Sequence, residues 1–408
     1  MAQAEKADQK AFGQALADKE TDYSGWYNDL VMRAELAEDA PVRGCMVVRP
    51  YGWTLWENAS GKLDGRFKET DVVNAAFPLF IPRSYLVKES EHVEGFVPEV
   101  AWVTQVGSGA EELPEPLAVR PTSEAIIGPI YAKWIQSYRD LPILINQWGS
   151  VVRWEKRPRL FLRTTEFWWQ EGHTAHATAE ECEERTRLML EVYRAFLEED
   201  MAIPVIPGRK SESQKFPGAL RTYTVEAMMG DGRALQSGTS HNLGDHFARA
   251  YDMMYLDENN ERQYCWTTSW GMSTRIIGAT IMVHGDQQGL KLPPKVAPWQ
   301  VVIVPIWRKD DEKAPVLEMV DRVAGLLKEA GVRVKVDATE SRSAGWKFNE
   351  WELKGVPLRV EIGPRDVQNN SVVLARRDVP GKEGKQFVGV DELTRRVPDL
   401  LAEIQRAL

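Results

Sequence analysis

One proline-rich stretch, Leu290-Lys291-Leu292-Pro293-Pro294-Lys295-Val296-Ala297-Pro298, does most to restrict what this chain can fold into. Proline has no amide hydrogen and a fixed φ, so the stretch is neither helix nor central strand. It splits the 408 residues into two parts with different grammar. We expect a flexible extension over 1–22, one domain over 23–290, a linker at 291–299 and a second domain over 300–408. Beyond the linker, apolar strands at 301–306, 332–336 and 358–362 alternate with helices at 312–330 and 346–353, and a last helix starts near 391. Val316, Val320, Val323 and Leu327 share one face of the first of these helices. This alternation predicts a small α/β domain with a mostly parallel sheet.

The first part is less regular. Helices are expected at 23–36, 53–67 and 122–138, and short strands at 42–48, 203–206, 223–227 and 232–237. The stretch 72–81 is strand-like, but Pro78 demotes it to an edge or interface position. Segments 151–155 and 162–172 read as a hairpin around the basic loop Lys156-Arg157-Pro158-Arg159. Thr178-Ala179-Glu180-Glu181 is a capping box that opens a helix to about 199. Residues 266–282 read as a strand or turn followed by a helix.

Composition narrows the function classes. Apolar residues make 43% and charged residues 27%, which excludes a disordered or collagen-like chain. No apolar run is long enough for a membrane span, and the start carries no apolar signal core. We therefore expect no membrane partner and a cytoplasmic location. Three dispersed cysteines offer no zinc-ligand spacing, so no metal is expected in the protein framework. The net charge of −9 falls on the first 300 residues, since 301–408 hold 19 basic and 18 acidic side chains. Bulk charge thus gives no support to a nucleic-acid partner, although a local basic face remains open.

Four clusters could carry chemistry. Arg153 and Glu155 sit two apart before the basic loop, and Arg163, Thr164 and Glu166 follow it. Arginine forks suit phosphate oxygens and a carboxylate can accept from an exocyclic amine, yet a solvated charged hairpin explains the same residues. Arg120-Pro121-Thr122-Ser123-Glu124 is either a helix cap or a receptor for an ammonium group. Gln236-Ser237-Gly238-Thr239-Ser240-His241 is an ordinary loop or a close-approach turn. Thr267 to Arg275 ends in an arginine at the start of an apolar helix. No carboxylate lies within four residues of Arg275, so an external anion is a plausible partner. P-loop, GxGxxG, HExxH and GxSxG patterns are all missing.

Together, and in this order, the clusters resemble the class II aminoacyl-tRNA synthetases of the prolyl, eukaryote-like and archaeal-type group. The resemblance covers about 23–408. Pro78 matches motif 1; Arg153-Trp154-Glu155 and Arg163-Thr164-Thr165-Glu166-Phe167 match motif 2; Gly271 to Arg275 match motif 3. Arg120 to Glu124 match the TxE loop, and Gly238-Thr239-Ser240-His241 the GTSH segment. Thr274 stands where many class II enzymes carry an acidic residue. The stretch between motif 2 and GTSH is too short for the bacterial editing insertion. The group usually ends in a zinc-binding domain, and this chain stops after the anticodon-type domain.

The resemblance implies an α/β (α+β) catalytic domain with a six-stranded antiparallel sheet flanked by helices, plus a smaller α/β anticodon-binding domain. It implies a homodimer through motif 1, and ATP-dependent joining of L-proline to tRNA(Pro) through prolyl-adenylate. Arg153 and Arg275 become the catalytic candidates, on the α-phosphate and the far phosphates. Glu155, Arg163, Thr164, Gln236, Thr239 and Ser273 become ATP contacts. Thr122, Glu124, Arg153, Phe167, Trp169, Phe216 and His241 become proline contacts. Mg²⁺ is expected with ATP, Gln236 being a candidate contact, and no zinc is expected. Glu352, Arg365 and Asp366 become readers of the anticodon guanines. The alternatives are a catalytically silent tRNA-binding paralogue and a paralogue that loads a different small amino acid onto a carrier. Proline-dependent ATP–pyrophosphate exchange separates all three.

Overall fold

The computed structural model describes residues 16–92, 100–108 and 111–408. Of the expected extension, 1–15 lie outside the described residues, and the rest is docked. Leu16 is buried, and the Gln287 side chain donates to the carbonyls of Leu16 and Ala17 at 3.2 and 3.1 Å.

The first domain is built on a seven-stranded sheet. Among its helices, in chain order, are α1 (Tyr23–Arg33), α2 (Pro50–Lys68), α3 (Glu124–Trp134), α4 (Ala179–Ala195) and α5 (Arg275–His284). The strands are β1 (Val73–Asn74), β2 (Ile143–Val152), β3 (Glu166–His176), β4 (Ile206–Arg209), β5 (Arg221–Met228), β6 (Ala234–Gly244) and β7 (Trp266–Ser273). They pair in the order β1-β2-β3-β7-β6-β5-β4. Six of them form the expected antiparallel array; β1 adds a seventh, parallel to β2. Large apolar side chains from α1, α2 and α4 (Trp26, Tyr27, Leu30, Leu63, Phe67, Tyr193) pack on one face of this sheet around Trp270. Trp270 lies across Gly172 of the neighbouring strand, where an added Cβ would stand 2.0 Å from the indole. A glycine is needed there by this close approach. The Thr178 capping box forms as expected and starts α4.

Several expectations change. The stretch 72–81 divides into β1 and an edge strand, Phe80–Pro82, of a separate three-stranded sheet, because Pro78 cannot continue a ladder. The basic hairpin is displaced outward. Register runs to Val152 opposite Glu166, and 153–165 form a loop closed by paired Arg159 and Arg163 backbones. Arg153 and Glu155 are therefore loop residues.

The second domain carries β8 (Val301–Pro305), β9 (Val334–Val336), β10 (Leu358–Ile362), β11 (Ser371–Arg376) and β12 (Lys385–Gly389), with α6 (Asp310–Glu329), α7 (Ala344–Leu353) and α8 (Leu393–Ala407). The strand order is β9-β8-β10-β11-β12. β8 pairs in parallel with β9 and β10, while β10–β11 and β11–β12 are antiparallel. The mostly parallel expectation thus fails, because β11 and β12 extend the sheet by antiparallel pairing.

The domains meet along a polar seam. Arg377 donates to both carboxylate oxygens of Asp286 at 3.0 and 2.6 Å and to the carbonyl of Glu352. Lys354 pairs with Glu35, and the Tyr51 hydroxyl donates to the Lys354 carbonyl. All three cysteines are free thiols. Cys182 and Cys265 are buried and pushed up to about 12, mainly by that burial. Cys45 is half-buried, beside Gly44, whose carbonyl accepts from the Thr165 N–H at 2.7 Å.

Candidate active site

A cavity of about 290 Å³ opens on the sheet between β3, β6, β7 and the 153–165 loop. Strand alternation builds its first wall. Phe167, Trp169, Glu171 and His173 are spaced by two on β3, so all four point to one face and all line the cavity. Phe167 and Trp169 meet edge to face at 5.7 Å, and the Arg153 guanidinium lies over both rings at 5.5 and 5.2 Å. Phe216 stacks on His241 at 4.7 Å across the cavity.

The cavity has an acidic end. Thr122 donates its hydroxyl to Glu124, and both are buried. Between them, Ser123 is held by Glu171: its N–H donates to Oε2 at 3.0 Å and its hydroxyl to Oε1. Gln147 donates to the same Oε1 at 3.0 Å, and His173 Nε2 lies 3.0 Å from Oε2. Burial alone would raise the Glu171 carboxyl, but the bond from His173, its charge and the Ser123 bond hold it below the usual carboxylate range. Burial opposes the charged form of His173, yet Glu171 and Glu124 raise its pKa. Glu171 is thus engaged by Ser123, Gln147 and His173, and Glu124 lines the cavity beside them.

The other end is basic. Arg153 and Arg275 are held by backbone carbonyls: Arg153 Nε donates to Pro121 at 2.9 Å, and Arg275 donates to Leu162 at 3.0 Å and Gln236 at 3.3 Å. Neither has a carboxylate ion pair among the described residues. Arg153 is enclosed by protein on its sides yet open to the cavity, and burial lowers its pKa. Burial followed by the charges of Arg153 and Arg163 lowers that of Arg275. Lys210 joins them and donates to the Gln236 side chain. Two preset guanidiniums with no anion of their own form a receptor for phosphate.

His241 is neutral. Burial, then Lys210 and Arg153, push it down to about 3. Thr222 Oγ1 accepts from the Phe216 N–H at 2.9 Å and lies 3.0 Å from His241 Nδ1.

Of the sequence candidates, Thr122, Glu124, Phe167, Trp169, Phe216 and His241 line the cavity, as do Arg153, Gln236, Thr239, Ser273 and Arg275. Glu155, Arg163 and Thr164 do not. Glu155 lies 3.7 Å from Arg163 out on the loop, and the Thr164 hydroxyl is committed to the Glu166 carbonyl. Glu352, Arg365 and Asp366 stand in the second domain. The Glu352 carboxylate and exposed Arg365 make no ion pair among the described residues, whereas Asp366 accepts from the Gly363 N–H at 2.8 Å as a helix cap. Sequence reasoning missed Glu171, His173, Lys210 and Thr222. Carrying the alternation beyond Trp169 would have found the first two, and Thr222 is the register partner of His241.

Glu124, Glu171 and His173 have ligand atoms within 4.8 Å of one another. Because the Glu171 oxygens are already taken by Ser123, Gln147 and His173, this triad suits an ammonium ion rather than a metal. No carboxylate lines the basic end, so the residues there fit a divalent cation that arrives on phosphate oxygens.

The comparisons agree with this chemistry. Residues 105–284 match the class II core domain of tRNA synthetases (G, H, P, S and T), and 300–399 match an anticodon binding domain. The chain is 58% identical over 397 residues to the proline–tRNA ligase of Chloroflexus aggregans, spanning 97% of this chain and 82% of that one. It is 57% identical to the chloroplastic/mitochondrial proline–tRNA ligase of Arabidopsis thaliana, over 97% and 73% of the two chains. The crystal structure of Cryptosporidium parvum prolyl-tRNA synthetase with halofuginone and AMPPNP superposes with a TM-score of 0.91 at 46% identity, covering 96% of this chain and 80% of that one. A second structure of that enzyme, with L-proline and AMP, gives a TM-score of 0.89 at 43% identity over 96% and 81%.

Proposed function

The chain belongs to the prolyl-tRNA synthetases of class II, and from that premise we propose how its own side chains divide the work of attaching L-proline to tRNA(Pro). One observation carries the reading: a single cavity has a buried acidic end and a basic end built from two arginines without anionic partners. A proline zwitterion and ATP match those ends in charge.

In this reading Glu124, oriented by Thr122, receives the secondary ammonium. Phe167, Trp169 and Phe216 enclose the pyrrolidine ring, and neutral His241 stands beside it without adding charge. The proline carboxylate oxygen attacks the α-phosphorus, and the bond to pyrophosphate breaks with its electrons going to the leaving group. The prolyl-adenylate is then attacked by a terminal ribose hydroxyl of the tRNA, which releases AMP. No general base is needed in the first step, so catalysis is positioning and charge neutralisation. Arg153 lies on the α-phosphate and Arg275 on the outer phosphates, with Gln236, Thr239 and Ser273 along the nucleotide. Glu155, Arg163 and Thr164 belong to the nucleotide site through the loop, their Glu155–Arg163 pair opening when adenine arrives. Mg²⁺ supplies added neutralisation of the phosphates and is held chiefly by them, Gln236 being its nearest protein candidate. No zinc is required.

Glu352, Arg365 and Asp366 read the anticodon. Exposed apolar side chains around the three-stranded sheet, among them Leu79, Phe80, Trp102 and Val106, favour a homodimer through that face. Within the described residues no helix is long and apolar enough to cross a membrane. Three free thiols suit a reducing cytoplasm. Proline-dependent ATP–pyrophosphate exchange, run against a panel of small amino acids, tests the reading. Exchange with proline at micromolar to millimolar concentration supports it, and exchange that ignores proline overturns it.

A further inference from the structure

Phe387 is 79% exposed, the most exposed of the large apolar residues described, and it stands on the edge strand β12. Cross-strand register places it. Glu361 of β10, Val373 of β11 and Phe387 lie in one row, and Arg359, Ala375 and Lys385 in the next row on the same face. The opposite face, with Val360, Leu374 and Val388, is sealed in the core under α6 and α8. At one end the outer face is covered by α7, whose Phe348 packs on Arg359 at 4.1 Å and on Lys385 at 5.8 Å. At the other end Phe387 makes no ring contact among the described residues.

Cationic side chains stand beside it on this face. Glu361 is buried and held by two of them: Lys385 at 2.9 Å and Arg359 at 3.0 Å. The Glu361 charge also acts on Asp366, and Lys385 is itself exposed two residues before Phe387 on the same face of β12. β10, which supplies Glu361 to that row, leads through Gly363 into the helix Pro364–Asn369, which carries exposed Arg365. An exposed aromatic face flanked by a cationic surface is the arrangement that binds single-stranded nucleic acid, because a base can stack while its phosphate meets the cations.

We infer that Phe387 is a stacking platform for one unpaired base of the tRNA anticodon loop, a contact additional to Glu352, Arg365 and Asp366. This inference rests on the reading that the chain charges tRNA. The chemistry favours a base over an apolar protein partner, since the ring is isolated and rimmed by charge.

Phe387→Ala and Phe387→Trp in the full chain test it with a tRNA(Pro) transcript. The alanine variant should raise the tRNA KM about fivefold to a hundredfold, the range for removal of one stacked base. The tryptophan variant should stay near wild type, and proline-dependent exchange should be unchanged in both. An acceptor-stem minihelix without an anticodon loop should not distinguish the alanine variant from wild type. Unchanged charging by Phe387→Ala, or a parallel loss of exchange, overturns the stacking role. Failure of the wild-type chain itself in exchange overturns the functional reading instead.

Discussion

Arg153 gathers more of the site's chemistry than any other side chain. It lies over two aromatic rings, is fixed by a backbone carbonyl and faces the acidic end of the cavity. Arg153→Ala should lower exchange at least a hundredfold, about 3 kcal/mol of transition-state stabilisation, with an unchanged circular dichroism spectrum. Activity near wild type would remove it from the catalytic set. The histidines give a second prediction. Burial and neighbouring cations push His176, His241 and His284 down to about 4, about 3 and about 4. A histidine with a depressed folded value stabilises above its unfolded pKa near 6.5 and loses that stabilisation as pH falls. His173 is raised and has the opposite sign, its contribution being full below about 6.5. Near pH 5 unfolding therefore takes up about three protons at the depressed histidines, a slope of about 4 kcal/mol per pH unit. Urea midpoints measured from pH 7.5 to 4.5 should fall steeply below 6.5, and a flat profile would contradict the burial of these rings. Much of this site was legible in the sequence, because Thr122, Glu124, Arg153, His241 and Arg275 sit in recognisable clusters. Glu171 is placed by the alternation from Phe167, but its role is not legible, since its partners Ser123 and Gln147 come from distant parts of the chain.

At the scale of elements, local rules worked where the chain carries its own punctuation. The Thr178 box, the helix beginning at Arg275 and the strand at 301–305 follow from capping residues and unbroken apolar runs. They failed where tertiary pairing decides. β2 and β3 gain residues because each is ladder to the other, while β11 and β12 flank the turn signal Pro380-Gly381, and it is their pairing across it that makes them strands. Thr178 accepts from the Glu181 N–H at 3.2 Å, and Glu181 returns to the Thr178 N–H. Thr178→Ala should destabilise the protein by about 1 kcal/mol, and Thr178→Ser should restore most of it. Thermal or chemical denaturation of the two variants checks this, and equal stability of all three proteins would deny the cap a role.

Across the whole molecule, ion pairs bridge the two domains beside the apolar packing of Leu353 on the first domain's core. Arg377 is 5% exposed in its side chain and relies on Asp286. Asp286→Ala should strand that buried cation, at a cost of about 3 kcal/mol. Because Arg377 also holds the carbonyl of Glu352, tRNA charging should fall further than exchange. Calorimetry together with the two assays measures both effects, and a variant with equal losses in the two reactions would show that the seam serves stability alone. The thiols have a practical consequence. With Cys182 and Cys265 buried and held protonated, a maleimide should add once per chain, at Cys45. Its neighbour Gly44 is bonded to Thr165 at the root of the 153–165 loop. A fluorophore on that one sulfur would sit at the doorway of the nucleotide, and its brightness would follow the loop as ATP enters and AMP departs.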